Sequence, residues 1–74
     1  MNLTIRLFAT LRENRGKILD VEVSDGETIR TILGSMGIME EDVAILLRNG
    51  RDASLDDFPE DKDTLSVFPP VGGG

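Results

Sequence analysis

The amino-acid sequence predicts an α+β domain in which one main helix packs on a mixed sheet of four to five strands. Three observations carry this prediction. Short segments near both ends of the chain alternate apolar and polar residues, the period of a half-buried strand. One segment between them changes to the 3.6-residue period of an amphipathic helix. A chain of 74 residues buries only about 60% of its unfolded surface, so one helix sharing one core with one sheet is an economical arrangement.

From Asn2 to Phe8 the residues Leu3, Ile5 and Leu7 share one side, and Thr4, Arg6 and Phe8 the other, which predicts the first strand. Thr10 to Lys17 is polar and reads as a loop with at most one helical turn. Leu19, Val21 and Val23 alternate with Asp20, Glu22 and Ser24, giving a second strand antiparallel to the first, closed by a turn at Asp25-Gly26. Ile29, Ile32, Leu33 and Met36 fall at i, i+3, i+4 and i+7, one stripe of a short helix. Thr28 stands at the N-cap position, with Glu27 supplying negative charge beside the positive end of the dipole. Gly34 costs about 1 kcal/mol relative to alanine, so this helix depends on packing. Gly37 followed by Ile38 suits a left-handed C-terminal cap with its hydrophobic contact.

Glu40-Glu41-Asp42 is read as a solvated loop, and Val43 to Leu47, apolar on both parities, as a strand covered on both faces. Asn49-Gly50 signals a hairpin turn, with a short return strand within Arg51 to Ser54. Asp52 to Asp63 is acidic and irregular, anchored by Leu55 and Phe58, and Thr64 to Phe68 is the last strand. If the first and last strands are neighbours, Leu3, Ile5, Leu7, Leu65 and Val67 face the helix. Phe8 and Phe68 then lie together on an otherwise polar outer face, an arrangement that marks a protein interface.

Composition narrows the function. With 39% apolar and 30% charged residues the chain has a globular composition. It has no cysteine, hence no disulfide or thiolate metal site, and no histidine, the commonest general base. Fourteen acidic against eight basic residues give a net charge of −6, which argues against nucleic-acid binding and suits a basic protein surface. The start Met1 to Arg6 lacks a basic region followed by an apolar stretch, and the longest aliphatic run, Val43 to Leu47, is too short for a bilayer. The expectation is a cytoplasmic protein without membrane contact. The acidic residues from Asp52 to Asp63 do not follow calcium-loop spacing, no metal site is expected, and there is neither a P-loop nor a Ser with a plausible base.

The end of the chain is its most informative stretch: Phe68-Pro69-Pro70-Val71-Gly72-Gly73-Gly74. At roughly 7% glycine per position, a final Gly-Gly pair arises by chance about once in 200 chains. Two prolines fix consecutive φ angles and favour an extended exit. Glycines lie flat in slots too narrow for side chains and leave a terminal carboxylate open to attack. Residues 1–70 are therefore read as the folded domain and 71–74 as a flexible glycine tail.

With the strand order set out, the chain resembles the β-grasp, or ubiquitin-like, fold. Asp63 to Val71 before the glycines is similar to the small subunit of molybdopterin synthase, the MoaD family. Leu7 to Glu13 and Arg48-Asn49-Gly50-Arg51 resemble that family's N-terminal segment and mid-chain turn. The resemblance implies a sulfur carrier, not itself an enzyme. A ubiquitin-activating-type enzyme would adenylate the Gly74 carboxylate with ATP, sulfur transfer would give a thiocarboxylate, and the chain itself would bind no cofactor. The tail would then enter a large synthase subunit of the MoaE type and supply sulfur to the pterin precursor. Gly74 is thus the expected reactive residue, and Phe8, Phe68, Pro69, Pro70, Val71, Gly72 and Gly73 the expected partner-binding residues. The sequence departs from the family at Gly72, where a non-glycine residue is common; a third glycine adds up to about 1 kcal/mol of ordering entropy on insertion. The same resemblance also admits a modifier whose Gly74 is joined to lysines of target proteins, a carrier for another sulfur-containing cofactor or for tRNA thiolation, or an interaction module with no terminal chemistry.

Overall fold

In a computed structural model, which describes Met1–Val71, the first and last strands lie side by side. The strands are β1 (Asn2–Leu7), β2 (Ile18–Glu22), β3 (Ile45–Arg48), β4 (Arg51–Asp52) and β5 (Thr64–Phe68), with one helix, α1 (Ile29–Gly34). They form one mixed sheet in the order β2-β1-β5-β3-β4, with β1 and β5 parallel and every other pair antiparallel. The expected architecture is present: one helix, one five-stranded sheet, and a β-grasp strand order. The expected tail residues Gly72, Gly73 and Gly74 lie outside the described residues.

Alternation sets the faces as the pattern predicted. Leu3, Ile5 and Leu7 of β1 and Leu65 and Val67 of β5 are buried against Ile29, Ile32 and Leu33 of α1, with Ile5 and Leu65 fully inaccessible. Removing either side chain to alanine leaves a cavity costing about 2–5 kcal/mol. The helix begins where expected: Thr28 Oγ1 accepts from the Thr31 N–H at 3.2 Å, satisfying one of the unpaired first-turn donors. Glu27 acts differently, its carboxylate accepting the Ser24 N–H. At the other end Gly37, at φ +80°, takes the left-handed conformation. Ile38 N–H reaches Leu33 C=O and Gly37 N–H reaches Gly34 C=O, both at 3.0 Å, the bond pair of a Schellman cap.

Four readings of the sequence need correction, and a fifth is sharpened. The one helical turn allowed for in the loop after β1 is a 3₁₀ turn, Ala9–Arg12, and its Leu11 joins the core. Glu40–Asp42 is also a 3₁₀ turn: Asp42 accepts from the Met39 N–H and Glu40 pairs with Arg30. The strand β3 is covered on one face only; Leu46 is buried whereas Ile45 is 50% exposed. Phe58, expected as a loop anchor, is 60% exposed, and half-buried Leu55 with buried Pro59 takes that part. Asp63, read only as the end of an acidic, irregular stretch, is buried with 8% exposure.

The acidic loop is pinned at both ends by polar contacts. The first N–H groups of α1 donate into it, Ile29 to Asp57 C=O at 3.0 Å and Arg30 to Leu55 C=O at 2.7 Å, which satisfies helix-terminal donors that otherwise need water. The Arg30 guanidinium holds the Asp56 carboxyl below its ordinary range, chiefly through their hydrogen bond. At the loop's end Asp63 accepts from Glu60 N–H (2.8 Å), Asn49 Nδ2 (2.8 Å) and Arg48 Nε (2.6 Å). Asn49 and Gly50 both have positive φ, 52° and 83°, as a two-residue type I′ hairpin between β3 and β4 requires.

Burial alone pushes the Asp63 carboxyl up, but the Glu60, Asn49 and Arg48 donors outweigh it and hold the group below its ordinary 3.8. A carboxyl whose folded pKa is depressed stabilises the fold above its unfolded pKa and ceases to do so as pH falls through the folded value. Asp63→Asn is expected to cost about 1–3 kcal/mol near neutral pH, the range for losing a charge-assisted buried acceptor. Denaturant titrations of both proteins check this: the difference should shrink as pH drops below 3.8, and a difference independent of pH counts against the charged network.

Candidate functional site

The register Leu7↔Val67 between β1 and β5 sets Phe8 next to Phe68, with the Phe8 N–H bonded to Val67 C=O at 3.2 Å. Both residues are of outward parity, and their rings stack with centroids 4.1 Å apart and planes 9° from parallel. Such a stack contributes about 0.5–1.5 kcal/mol beyond the area it buries. On the other side of β5, Ile45 is the cross-strand partner of Phe68, and the Phe68 C=O accepts from the Ala44 N–H at 2.8 Å. Phe68 is therefore flanked by Phe8 on the β1 side and Ile45 on the β3 side.

The strand stops where its sequence stops it. Pro69 has no N–H to continue a ladder, and Pro70 fixes the next φ as the chain leaves the sheet. Pro69 is half-buried, Pro70 exposed, and Val71 stands 95% exposed. Phe8, Ala9, Thr10, Ile45, Phe68, Pro69, Pro70 and Val71 line one open apolar cleft beside this exit. At the first residue of the 3₁₀ turn, Ala9 takes φ +54°, a left-handed conformation uncommon for a residue with a Cβ. Leu11 N–H then bonds back to Phe8 C=O at 3.2 Å.

Of the expected site residues, the structure brings together Phe8, Phe68, Pro69, Pro70 and Val71. Gly72, Gly73 and Gly74 lie outside the described residues. The outer face is less polar than expected, because Ile18 is 62% exposed opposite Arg6 and half-buried Leu47 lies opposite Ser66. Ile45 is the residue that sequence reasoning missed. Its signal was present in the double-parity apolar run Val43 to Leu47, which encodes one buried face and one exposed apolar face.

Apart from the Thr10 hydroxyl, the cleft's side chains are apolar, a lining that suits binding. Among the described residues no group of His, Cys, Asp or Glu is placed to hold a metal ion. No helix among them is long and apolar enough to cross a membrane.

Comparison with known proteins gives concordant findings. The ThiS family model matches residues 5–74. Small archaeal modifier protein 3 of Haloferax volcanii is 37% identical over 92 aligned positions, covering 100% of both chains. Among solved structures, SAMP1 from Haloferax volcanii superimposes with a TM-score of 0.78 at 26% identity, each chain covered in full. A chain from the complex of subunits 1 and 2 of the molybdopterin-converting factor of Helicobacter pylori gives 0.64 at 26% identity, again with full coverage of both.

The geometry separates binding from stability. Ile45→Ser should leave the denaturation midpoint almost unchanged, within about 0.5 kcal/mol, because half of that side chain already meets water. Phe8→Ser breaks the ring stack and should cost about 1–2 kcal/mol. Chemical denaturation of the two variants checks the contrast, and a larger loss at Ile45 than at Phe8 would show that the cleft is part of the core.

Proposed function

The chain belongs to the ThiS family of ubiquitin-like sulfur carriers and modifiers, and on that footing we propose that it carries sulfur on Gly74 for molybdopterin synthesis. The observation that carries this reading is the exit of the chain end. A central strand ends at Phe68 and runs into two prolines beside a half-buried aromatic stack, and three glycines follow Val71 in the sequence. An anchored body with an apolar docking cleft and a narrow, unhindered terminus suits reactions carried out inside another protein's active site.

The chemistry follows from the carboxylate. It is a poor electrophile, so a ubiquitin-activating-type enzyme first joins the Gly74 carboxylate to AMP from ATP, releasing pyrophosphate. A sulfide equivalent then attacks the acyl carbon, AMP leaves, and a thiocarboxylate remains. Glycine at 72, 73 and 74 lets the terminus reach both reagents in confined sites, where held geometry replaces a bimolecular encounter. The body supplies position alone: Phe8, Phe68 and Ile45 dock, while Pro69, Pro70 and Val71 direct the terminus forward. Similarity to a chain of the Helicobacter pylori subunit 1–subunit 2 complex supports a large MoaE-type subunit as the acceptor.

A second reading has its own support. The 37% identity to Small archaeal modifier protein 3 favours use of the same activated Gly74 to form isopeptide bonds with target lysines. Both readings need the acyl-adenylate and differ only in whether a sulfide or an amine receives the acyl group.

Intact-mass analysis of the protein from its native cells is expected to find a fraction with sulfur in place of one terminal oxygen. A terminus that remains an ordinary carboxylate while the activating enzyme is active rejects sulfur carriage. Lysine conjugates that disappear on deletion of Gly74 would instead establish the modifier reading.

A further inference from the structure

Beside the chain exit, the local charge opposes that of the whole molecule. Fourteen acidic residues face eight basic ones along the chain, yet the charged groups lying against the Phe8 ring are two arginines. Arg6 Cζ is 5.6 Å and Arg12 Cζ 5.3 Å from the ring centroid. Neither forms an ion pair among the described residues, whereas Arg30 is held by Asp56 and Glu40, and Arg48 by Asp63 and Glu60. Arg12 Nε donates to the Leu7 carbonyl at 2.8 Å, which fixes its head near the ring through a neutral acceptor and leaves its charge uncompensated. Exposed Arg6 has Ile18 and Ser66 as its cross-strand neighbours, both uncharged.

We infer that the partner receiving the chain end carries carboxylates on the rim of its docking site, facing Arg6 and Arg12. The inference rests on the proposed function, in which an adenylating enzyme covers the Phe8–Phe68–Ile45 face. Covering that face takes water from both guanidinium groups, and a desolvated cation without a partner is costly. A carboxylate matches the planar guanidinium through two parallel hydrogen bonds. A basic surface, which the net charge of −6 alone favours, would meet two like charges at the contact. The remaining acidity is not wasted on this account: a negative body with a positive exit face is an electric dipole, and the field of an acidic cleft turns such a molecule face-first during encounter.

The test is ATP–pyrophosphate exchange by the adenylating enzyme of the same organism, with this chain as the varied substrate. Arg6→Glu should raise KM about tenfold at low salt with kcat unchanged, since rim charges act mainly on association. Added salt should raise the KM of the parent and not that of the variant. Lys62→Glu makes the same change in net charge at the far end of β1. Lys62 N–H bonds to Asn2 C=O there, six residues or about 20 Å along the strand from Phe8, so its KM should stay within about twofold of the parent's. Thermal melts matching the parent show that both variants fold. An unchanged or lowered KM for folded Arg6→Glu overturns the acidic rim while leaving the carrier reading intact. A parent chain that supports no exchange overturns the carrier reading, and this inference with it.

Discussion

The parallel pairing of β1 with β5 is the constraint on which the rest of the molecule depends. It puts Ile5 beside Leu65 in the centre of the core and Leu7 beside Val67, so that the next residue on each strand is an outward phenylalanine. A slip of one residue would turn every buried side chain of one strand outward and separate the two rings. Pairing β5 with β3 on its other side completes the effect, since the last strand becomes a central one. The segment entering Pro69 is thereby held from both flanks, and any pull on the terminus acts on a strand hydrogen-bonded on two sides.

So small a body has little apolar volume with which to hold its long connections, and it uses polar contacts instead. The segment between β4 and β5 lends two carbonyls to the start of α1 and sets Asp56 against Arg30, which Glu40 of the turn after the helix also holds. Across the molecule, Arg15 performs the matching task at the helix's other end, its Nε reaching the Met36 carbonyl at 3.1 Å and Nη1 the Leu11 carbonyl at 3.3 Å. Each irregular stretch thus supplies partners that helix termini lack.

Much of this was legible in the sequence because it rests on local periodicity or local chemistry. The alternation of Leu3-Ile5-Leu7 and Leu65-Val67, the stripe Ile29-Ile32-Leu33, the Thr28 cap, the left-handed Gly37 and the Asn49-Gly50 turn all depend on neighbours within a few positions. What was not legible depends on partners distant in the chain. Asp63 is one acidic residue among many until folding brings Arg48 and Asn49 to it. Leu11 is a lone apolar residue in a polar stretch until the 3₁₀ turn aims it at the core. Phe58 and Ile45 were misread for one shared reason: apolar character was equated with burial, although folded surfaces retain much apolar area. At Ile45 that error concealed a third side chain of the docking cleft, whereas Phe8 and Phe68 were placed correctly by parity alone.

The clamp on Asn49 has a consequence for the chemical lifetime of the protein. An asparagine before glycine is prone to lose its amide when the following backbone nitrogen attacks the side-chain carbonyl. Here both ends of that amide are engaged, Nδ2 with Asp63 at 2.8 Å and Oδ1 with the Thr64 N–H at 2.9 Å. Ring closure must break both bonds, so spontaneous deamidation is tied to opening of the hairpin and proceeds at a rate set by how often the sheet frays there. Once it occurs, a new carboxylate stands against that of Asp63, and like charges at such range repel. Ageing at this single site therefore feeds back on the fold that delayed it, a sequence of events that peptide mapping of stored material can follow.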